Sequence, residues 1–384
     1  MALELYLDST GVYIRGTAAS ANTGAVDLAA DWPTDWWRDA IVTTPAFANR
    51  HTHPLQSVIR FGRLSGVFSF SDWLKIIRET QENSTAEDFR RATQRCLSEN
   101  LLNGNSHVTL HCKGLKGTSE MLAIVEQCER SEVRARVFFG LYPEQLSNLK
   151  WLRDMAAAGS SGPTTEFGLG PVNLHEFSGE QIAFVIDLAN EIGAYIHSHV
   201  GETPESAGAV QRLLSLPGDL SRWELVHCVN ERPESITCAL ERGCAIVLCP
   251  RSNQFLGLGL PSPLFITEKH RGSIGVGSDG ASSGISQSVI CAAFSGWMGW
   301  SSSPYRPSLE SLFALCCRDH DSRNPDVTDL MRWHPTGPLG HPASLLLEFM
   351  AGFRERFVLY EAKIDGKYYQ ADSLLADLGT VNQR

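Results

Sequence analysis

Short runs of apolar and β-branched residues, each bounded by turn-forming residues, recur along the chain and alternate with longer stretches of helical composition. Eight runs read as strands, at 40–47, 106–111, 135–141, 166–172, 194–200, 224–229, 244–249 and 273–278. Residues 72–81 followed by 85–102, then 119–128, 180–191, 204–216 and 233–242 read as the intervening helices. A strand alternating with a helix eight times predicts an α/β fold, a parallel (β/α)8 TIM barrel closed on itself. No fixed-period sequence repeat or low-complexity tract interrupts it.

The two ends break this rhythm. "LELYLDSTGVYIRGTA" reads as an antiparallel excursion with a Thr10-Gly11 turn, and "RFVLYEAKIDGKYYQ" as a hairpin turning at Asp365-Gly366. Both ends are expected to pair into a small, reduced β-sheet domain outside the barrel, which gives 1–39, 40–345 and 346–384 as its first part, the barrel and its second part. Residues 301–341, rich in Pro, Ser, Arg and His, read as irregular structure over one face.

Composition narrows the class. With 43% hydrophobic and 20% charged residues, the 384-residue chain has the balance of a globular protein rather than a disordered or membrane one. A net charge of -10 argues against nucleic acid as a partner. No apolar run approaches the roughly 18 residues of a membrane helix, and the N-terminus lacks a secretory pattern, so a cytoplasmic protein without a membrane partner is expected. Ten cysteines without a Cys-x-x-Cys pair read as reduced thiols, which leaves nitrogen and oxygen to hold any metal.

Polar residues fall at the predicted strand ends, where barrels of this kind build their sites. His51-Thr52-His53 ends the first run, and alternation in an extended chain turns both imidazoles to one side. "AYIHSHVGETPES" carries His197 and His199 and runs into Glu202, "ELVHCVN" carries His227, and "SIGVGSDGASSG" ends in Asp279. Structural histidines would scatter over helices and loops. Three imidazoles and one carboxylate suit a divalent ion with a position open for water, so His51, His53, His199 and Asp279 are read as ligands of Zn2+, with Fe2+ as the alternative. His197 shares the face of His199, yet only one of the two is expected to reach the ion.

With "HTH" at 51–53, "WL" at 73–74, "HVGET" at 199–203, "HCVN" at 227–230, "CPRSN" at 249–253 and "GSDGASS" at 277–283, the chain resembles the mononuclear deaminase branch of the amidohydrolase superfamily. That branch contains cytosine, guanine, S-adenosylhomocysteine and aminofutalosine deaminases. The resemblance implies one metal on the four residues already singled out, and catalytic roles for Glu202, His227 and Asp279. It also implies a substrate contact for His175, and the fourth run has no lysine with which two-metal branches bridge their ions. Arg60, Ser252 and Asn253 are further candidates for substrate binding. The chain departs from the branch in lacking its "G-x-x-x-x-G-x-x-A-D" closing signature and in having Leu55 where aminofutalosine-type members place an acidic residue.

These observations lead to an expected function: hydrolytic deamination of an amino-substituted heterocycle, such as a purine, pterin, pyrimidine or nucleoside, by a metal-activated water. The same centre attacks other polarised carbons, so hydrolysis of an amide, amidine or C–halogen bond is the alternative within enzymes, and a non-catalytic barrel the alternative outside them. The expected partner is a small-molecule substrate, and assembly into a homo-oligomer is left open.

Overall fold

The computed structural model describes residues 3–8, 11–16, 36–59, 69–148, 151, 154, 166–284, 286–317, 329–339, 345–364 and 367–370. Two short strands open the chain, β1 (Leu3–Asp8) and β2 (Gly11–Gly16), followed by β3 (Ala40–Pro45). The barrel strands follow as β4 (Phe47–Thr52), β5 (Asn105–Cys112), β6 (Arg134–Leu141), β7 (Glu166–Pro171), β8 (Tyr195–Val200), β9 (Trp223–His227), β10 (Ala245–Leu248) and β11 (Ile274–Val276). Three more strands end the described chain, β12 (Leu330–Pro335), β13 (Phe357–Ile364) and β14 (Lys367–Gln370).

Strands β4 to β11 stand side by side in chain order, with every pair parallel. The first and last meet through one parallel bridge between Thr52 and Asp279, where the Asp279 amide donates to the His51 carbonyl at 2.9 Å. Helices cover the outside. The longest among the described residues, Ala86–Leu102, begins in a capping box in which Thr85 and Asp88 satisfy each other's backbone amides.

The small sheet has the order β14-β13-β12-β3-β1-β2. Both chain ends join it, as the end patterns predict, through the antiparallel pairs β1–β2 and β13–β14; the predicted turn residues Thr10 and Asp365-Gly366 lie outside the described residues. Two elements differ from the sequence reading. The run 40–47, predicted as the first barrel strand, divides at Pro45: β3 pairs with β1 and β12, and only from Phe47 does the chain enter the barrel as β4. The Ala46 amide donates to the Asp329 carbonyl and the Phe47 amide to the Gly104 carbonyl, so consecutive amides serve different sheets. Both halves of the run are buried, which erases any polarity change at the crossing. The stretch 301–341, predicted irregular, contains the helix Leu309–Cys316 and strand β12.

The joint between sheet and barrel is aromatic. Phe47 packs against Phe313, Trp333, Phe349 and Phe353 at centroid distances of 5.8 to 6.4 Å. Gly104 sits against Trp333, where a Cβ would lie 2.6 Å from the indole. No described helix is long and apolar enough to cross a membrane.

Candidate metal centre and active site

The C-terminal ends of the barrel strands gather the polar residues. His51 lies within β4 and His53 one residue past it, His199 is the penultimate residue of β8, His227 ends β9, and Asp279 follows β11. Close approach at the seam depends on a glycine: a Cβ on Gly277 would stand 2.7 Å from Cβ of His51. His227 and Asp279 both have positive φ, 72° and 58°, a backbone region that costs a non-glycine residue about 1–3 kcal/mol and is held only where the surroundings fix it.

The donor atoms converge. Oδ1 of Asp279 is 3.4 Å from His51 Nε2 and 3.3 Å from His53 Nε2, and the Nε2 atoms of His53 and His199 are 3.2 Å apart. Oδ2 of Asp279 accepts hydrogen bonds from Ser252 at 2.5 Å and Ser283 at 3.0 Å, while Oδ1 and His51 Nε2 are buried without a hydrogen-bond partner among the described residues. Tautomers follow from acceptors that have no proton to give. Nδ1 of His53 donates to the His111 carbonyl at 2.8 Å, which leaves its Nε2 a lone pair. Burial lowers His51, His53 and His199 from the ordinary imidazole value of 6.5, so each is neutral near pH 7. Lone pairs pointed at one another and at a carboxylate repel unless a cation sits among them. Three nitrogens and an oxygen are also the donor set that zinc and iron(II) accept, so the residues fit a divalent ion.

Beneath this cluster lies a buried chain of contacts. His197 Nδ1 is 2.7 Å from Glu224 Oε2, and its Nε2 is 2.8 Å from Nδ1 of His51. Glu224 also receives Arg136 at 2.8 Å and Arg50 at 3.7 Å. Burial pushes Glu224 up, but Arg136, the hydrogen bond from His197 and Arg50 together hold it down at about 2. An ionised carboxylate only accepts, so His197 carries its proton on Nδ1, and its Nε2 accepts a hydrogen bond that His51 Nδ1 donates. His51 is thereby fixed with Nε2 free to face Asp279.

Beside the cluster, Glu202 Oε1 is 3.7 Å from His227 Nε2, with the glutamate side chain 19% exposed and the imidazole buried. His227 Nδ1 donates to Oδ1 of Asn253 at 2.8 Å, so its Nε2 turns to the same space as Glu202. A cavity of about 260 Å3 opens there. His53, His199, Glu202 and Asp279 form its floor, Phe70, Trp73, Leu74 and Ile77 an apolar wall, and Lys113, Tyr142, Asn173 and Glu176 part of its rim. Phe70 and Trp73 stack at 5.6 Å, and the indole nitrogen donates to Ser282 at 3.3 Å.

The structure thus brings together His51, His53, His199, Asp279, Glu202 and His227. Ser252 and Asn253 are buried and face Asp279 and His227, outside the cavity lining. His175 is exposed; the lining beside it is Asn173 and Glu176. Arg60 lies outside the described residues. Sequence reasoning missed Lys113, directly after β5, and the Glu224, Arg136 and Arg50 network. Only the position of Lys113 at a strand end gave any signal.

The amidohydrolase family model matches residues 42–295. The chain is 25% identical over 257 residues to the 5-methylthioadenosine/S-adenosylhomocysteine deaminase of Pelotomaculum thermopropionicum, covering 63% of this chain and 58% of that protein. It is 26% identical over 260 residues to the deaminase of the same name from Lawsonia intracellularis, covering 63% and 57%. The matches therefore span under two thirds of these curated relatives. Among solved structures, E. coli guanine deaminase superposes with a TM-score of 0.70 at 18% identity, covering 86% of this chain and 85% of that one. A zinc complex of atrazine chlorohydrolase from Arthrobacter aurescens superposes at 0.69 with 15% identity, covering 89% and 88%. At such identities the structural likeness establishes the fold alone. The family is metal-dependent, and among the described residues imidazole and carboxylate donors of this chain stand close enough together to hold a metal ion. With well over half of its length matched by the family model, the chain belongs to the amidohydrolase family.

Proposed function

We propose that the protein is a metal-dependent hydrolase of C–N bonds, and that it deaminates a small amino-substituted heterocycle. One observation carries this reading: His53, His199, Glu202 and Asp279 line one cavity with an aromatic wall, while His51 stands 3.4 Å from Asp279 and His227 3.7 Å from Glu202. His51, His53, His199 and Asp279 would hold one divalent ion, Zn2+ in the first instance and Fe2+ as the alternative. The ion, when bound, would lower the pKa of a coordinated water to about 7.

The chain's own groups then divide the remaining work. Asp279 takes a proton from the attacking water, and Ser252 and Ser283 hold the carboxylate in place while it does so. Glu202, at the cavity edge, gives a proton to the ring nitrogen next to the carbon under attack, which prevents negative charge from building there. His227, its tautomer set by Asn253, turns the lone pair of Nε2 to the same space as Glu202 and accepts a hydrogen bond from the attacking water, which orients it. The Trp73 and Phe70 wall offers a flat surface for the heterocycle. Asp279 passes the proton it took to the departing amine, Glu202 regains one from the added hydroxyl, and ammonia leaves behind a carbonyl next to the protonated ring nitrogen.

The experiment is metal analysis of purified protein together with ammonia release across purines, pterins, pyrimidines, 5′-methylthioadenosine and S-adenosylhomocysteine. One ion per chain and turnover of at least one amine are expected. A metal-loaded protein that is silent across the panel and hydrolyses an amide or C–halogen bond instead would replace deamination with that chemistry, and a chain that takes up no ion would remove the reading altogether.

A further inference from the structure

The mouth of the cavity holds a cation that the proposed reaction leaves unused. Lys113 directly follows β5, so its side chain starts from the same rim that supplies the proposed ligands, and it lines the cavity together with His53, His199, Glu202 and Asp279. It is half-buried. Among the described residues it makes no side-chain hydrogen bond and no ion pair. Burial pushes its ammonium below the usual lysine range, against the pull of Glu202, Asp279 and Glu176.

Each of those carboxylates has another place. Asp279 is held by two serines and faces the histidine cluster, Glu202 faces His227, and Glu176 is exposed on the rim. A divalent ion on the floor would consume the charge of Asp279 and raise the positive potential around Lys113 further. Arg78, on the helix Phe70–Asn83, adds a second cation to the same lining. A partly desolvated ammonium without a dedicated counter-charge is costly, and that cost is recovered when a ligand brings the anion. The apolar wall gives such a ligand its flat part, and the cations give it an acidic end.

We propose that Lys113, assisted by Arg78, binds an anionic group of the substrate, a carboxylate in the first instance, so that the site selects acidic small molecules over neutral ones of the same shape. This rests on the deaminase reading only in placing the substrate in this cavity. The group bound is negatively charged and sits apart from the reacting carbon, and Lys113 makes or breaks no bond.

The test uses the full-length, zinc-loaded protein and calorimetric titration with succinate and with its uncharged analogue succinamide. Wild-type protein should bind succinate about tenfold or more tightly than succinamide. Lys113→Gln should erase that preference while leaving succinamide binding and zinc content unchanged, and Lys113→Arg should restore most of it. Equal affinities in the wild type, failure of the wild type to bind succinate, or a preference that survives in Lys113→Gln each overturns the proposal; in the last case the bound ion alone holds the acid. Ammonia release is read separately, so a protein that prefers succinate yet deaminates nothing keeps this inference and loses the proposed reaction. One that deaminates neutral amines without any charge preference does the reverse.

Discussion

Nε2 of His197 lies 2.8 Å from Nδ1 of His51, and the far side of the same imidazole lies 2.7 Å from Glu224. With both ring nitrogens engaged, His197 would act on the proposed metal through His51 rather than as a ligand. Supporting contacts of this kind are worth roughly 10–100-fold in metal affinity. Glu224→Gln keeps the shape but removes the anion shared with Arg136 and Arg50, and should weaken zinc binding by about that factor in a chelator competition. The same substitution should lower stability to urea by about 3–5 kcal/mol, because buried positive charge is left behind. Unchanged zinc affinity would show that Glu224 serves packing alone.

Acid should unfold the metal-free protein in two stages. His51, His53, His111, His197 and His199 are all pushed below the ordinary 6.5 by burial, so the unfolded chain binds protons that the folded chain refuses. Their contribution is complete above about pH 6.5 and shrinks as pH falls below it. Glu224 adds a later loss: it protonates near 4.5 when unfolded and near 2 when folded, so its contribution is whole above about 4.5 and gone near 2. Urea midpoints between pH 8 and pH 3 would reveal this. A flat profile from pH 7 to 5 would contradict burial of the histidines.

Glu202→Gln should retain the ion and fold normally, since among the described residues the Glu202 carboxylate pairs with His227 and makes no hydrogen bond to a proposed ligand. Loss of the proton donor should reduce kcat by about 100–10,000-fold. The decisive comparison is metal content against ammonia release in one preparation, and near-normal turnover would assign the proton transfer elsewhere.

Gly277→Ala places a methyl group 2.7 Å from Cβ of His51. Overpacking of this kind costs about 1–3 kcal/mol, and here the strain falls on a proposed ligand. Weaker zinc binding, with a melting temperature lowered more in the zinc-loaded than in the metal-free protein, is expected. Equal lowering in both would mean that the loop, not the imidazole, gives way.

What the sequence disclosed and what it hid have physical causes. His51, His53, His199, Glu202, His227 and Asp279 were legible because polar residues at the ends of apolar runs interrupt a strong pattern, and barrels collect such ends on one face. The boundary between β3 and β4 is hidden because both strands are buried and only Ala46 separates the two sheets. Strand β12 was missed because Pro and Arg in its neighbourhood outweigh a six-residue strand. The partners of Glu224 were invisible for another reason: His197 is 27 residues away and Arg136 is 88, and no local spacing announces contacts made through a barrel floor. Lys113 in "HCKGL" has only its place at a strand end to set it apart from a surface lysine until the cavity is seen.

The meeting of the first and last barrel strands at Thr52 and Asp279 has a consequence for assembly. The hoop overlaps itself by a single rung among the described residues, and the donors on either side of that rung come from its two free ends. An ion gripped by His51 and His53 on one end and Asp279 on the other works as a rivet through the overlap. Because 227 residues separate Thr52 from Asp279, the rivet cannot be set until nearly all of the hoop has been laid down.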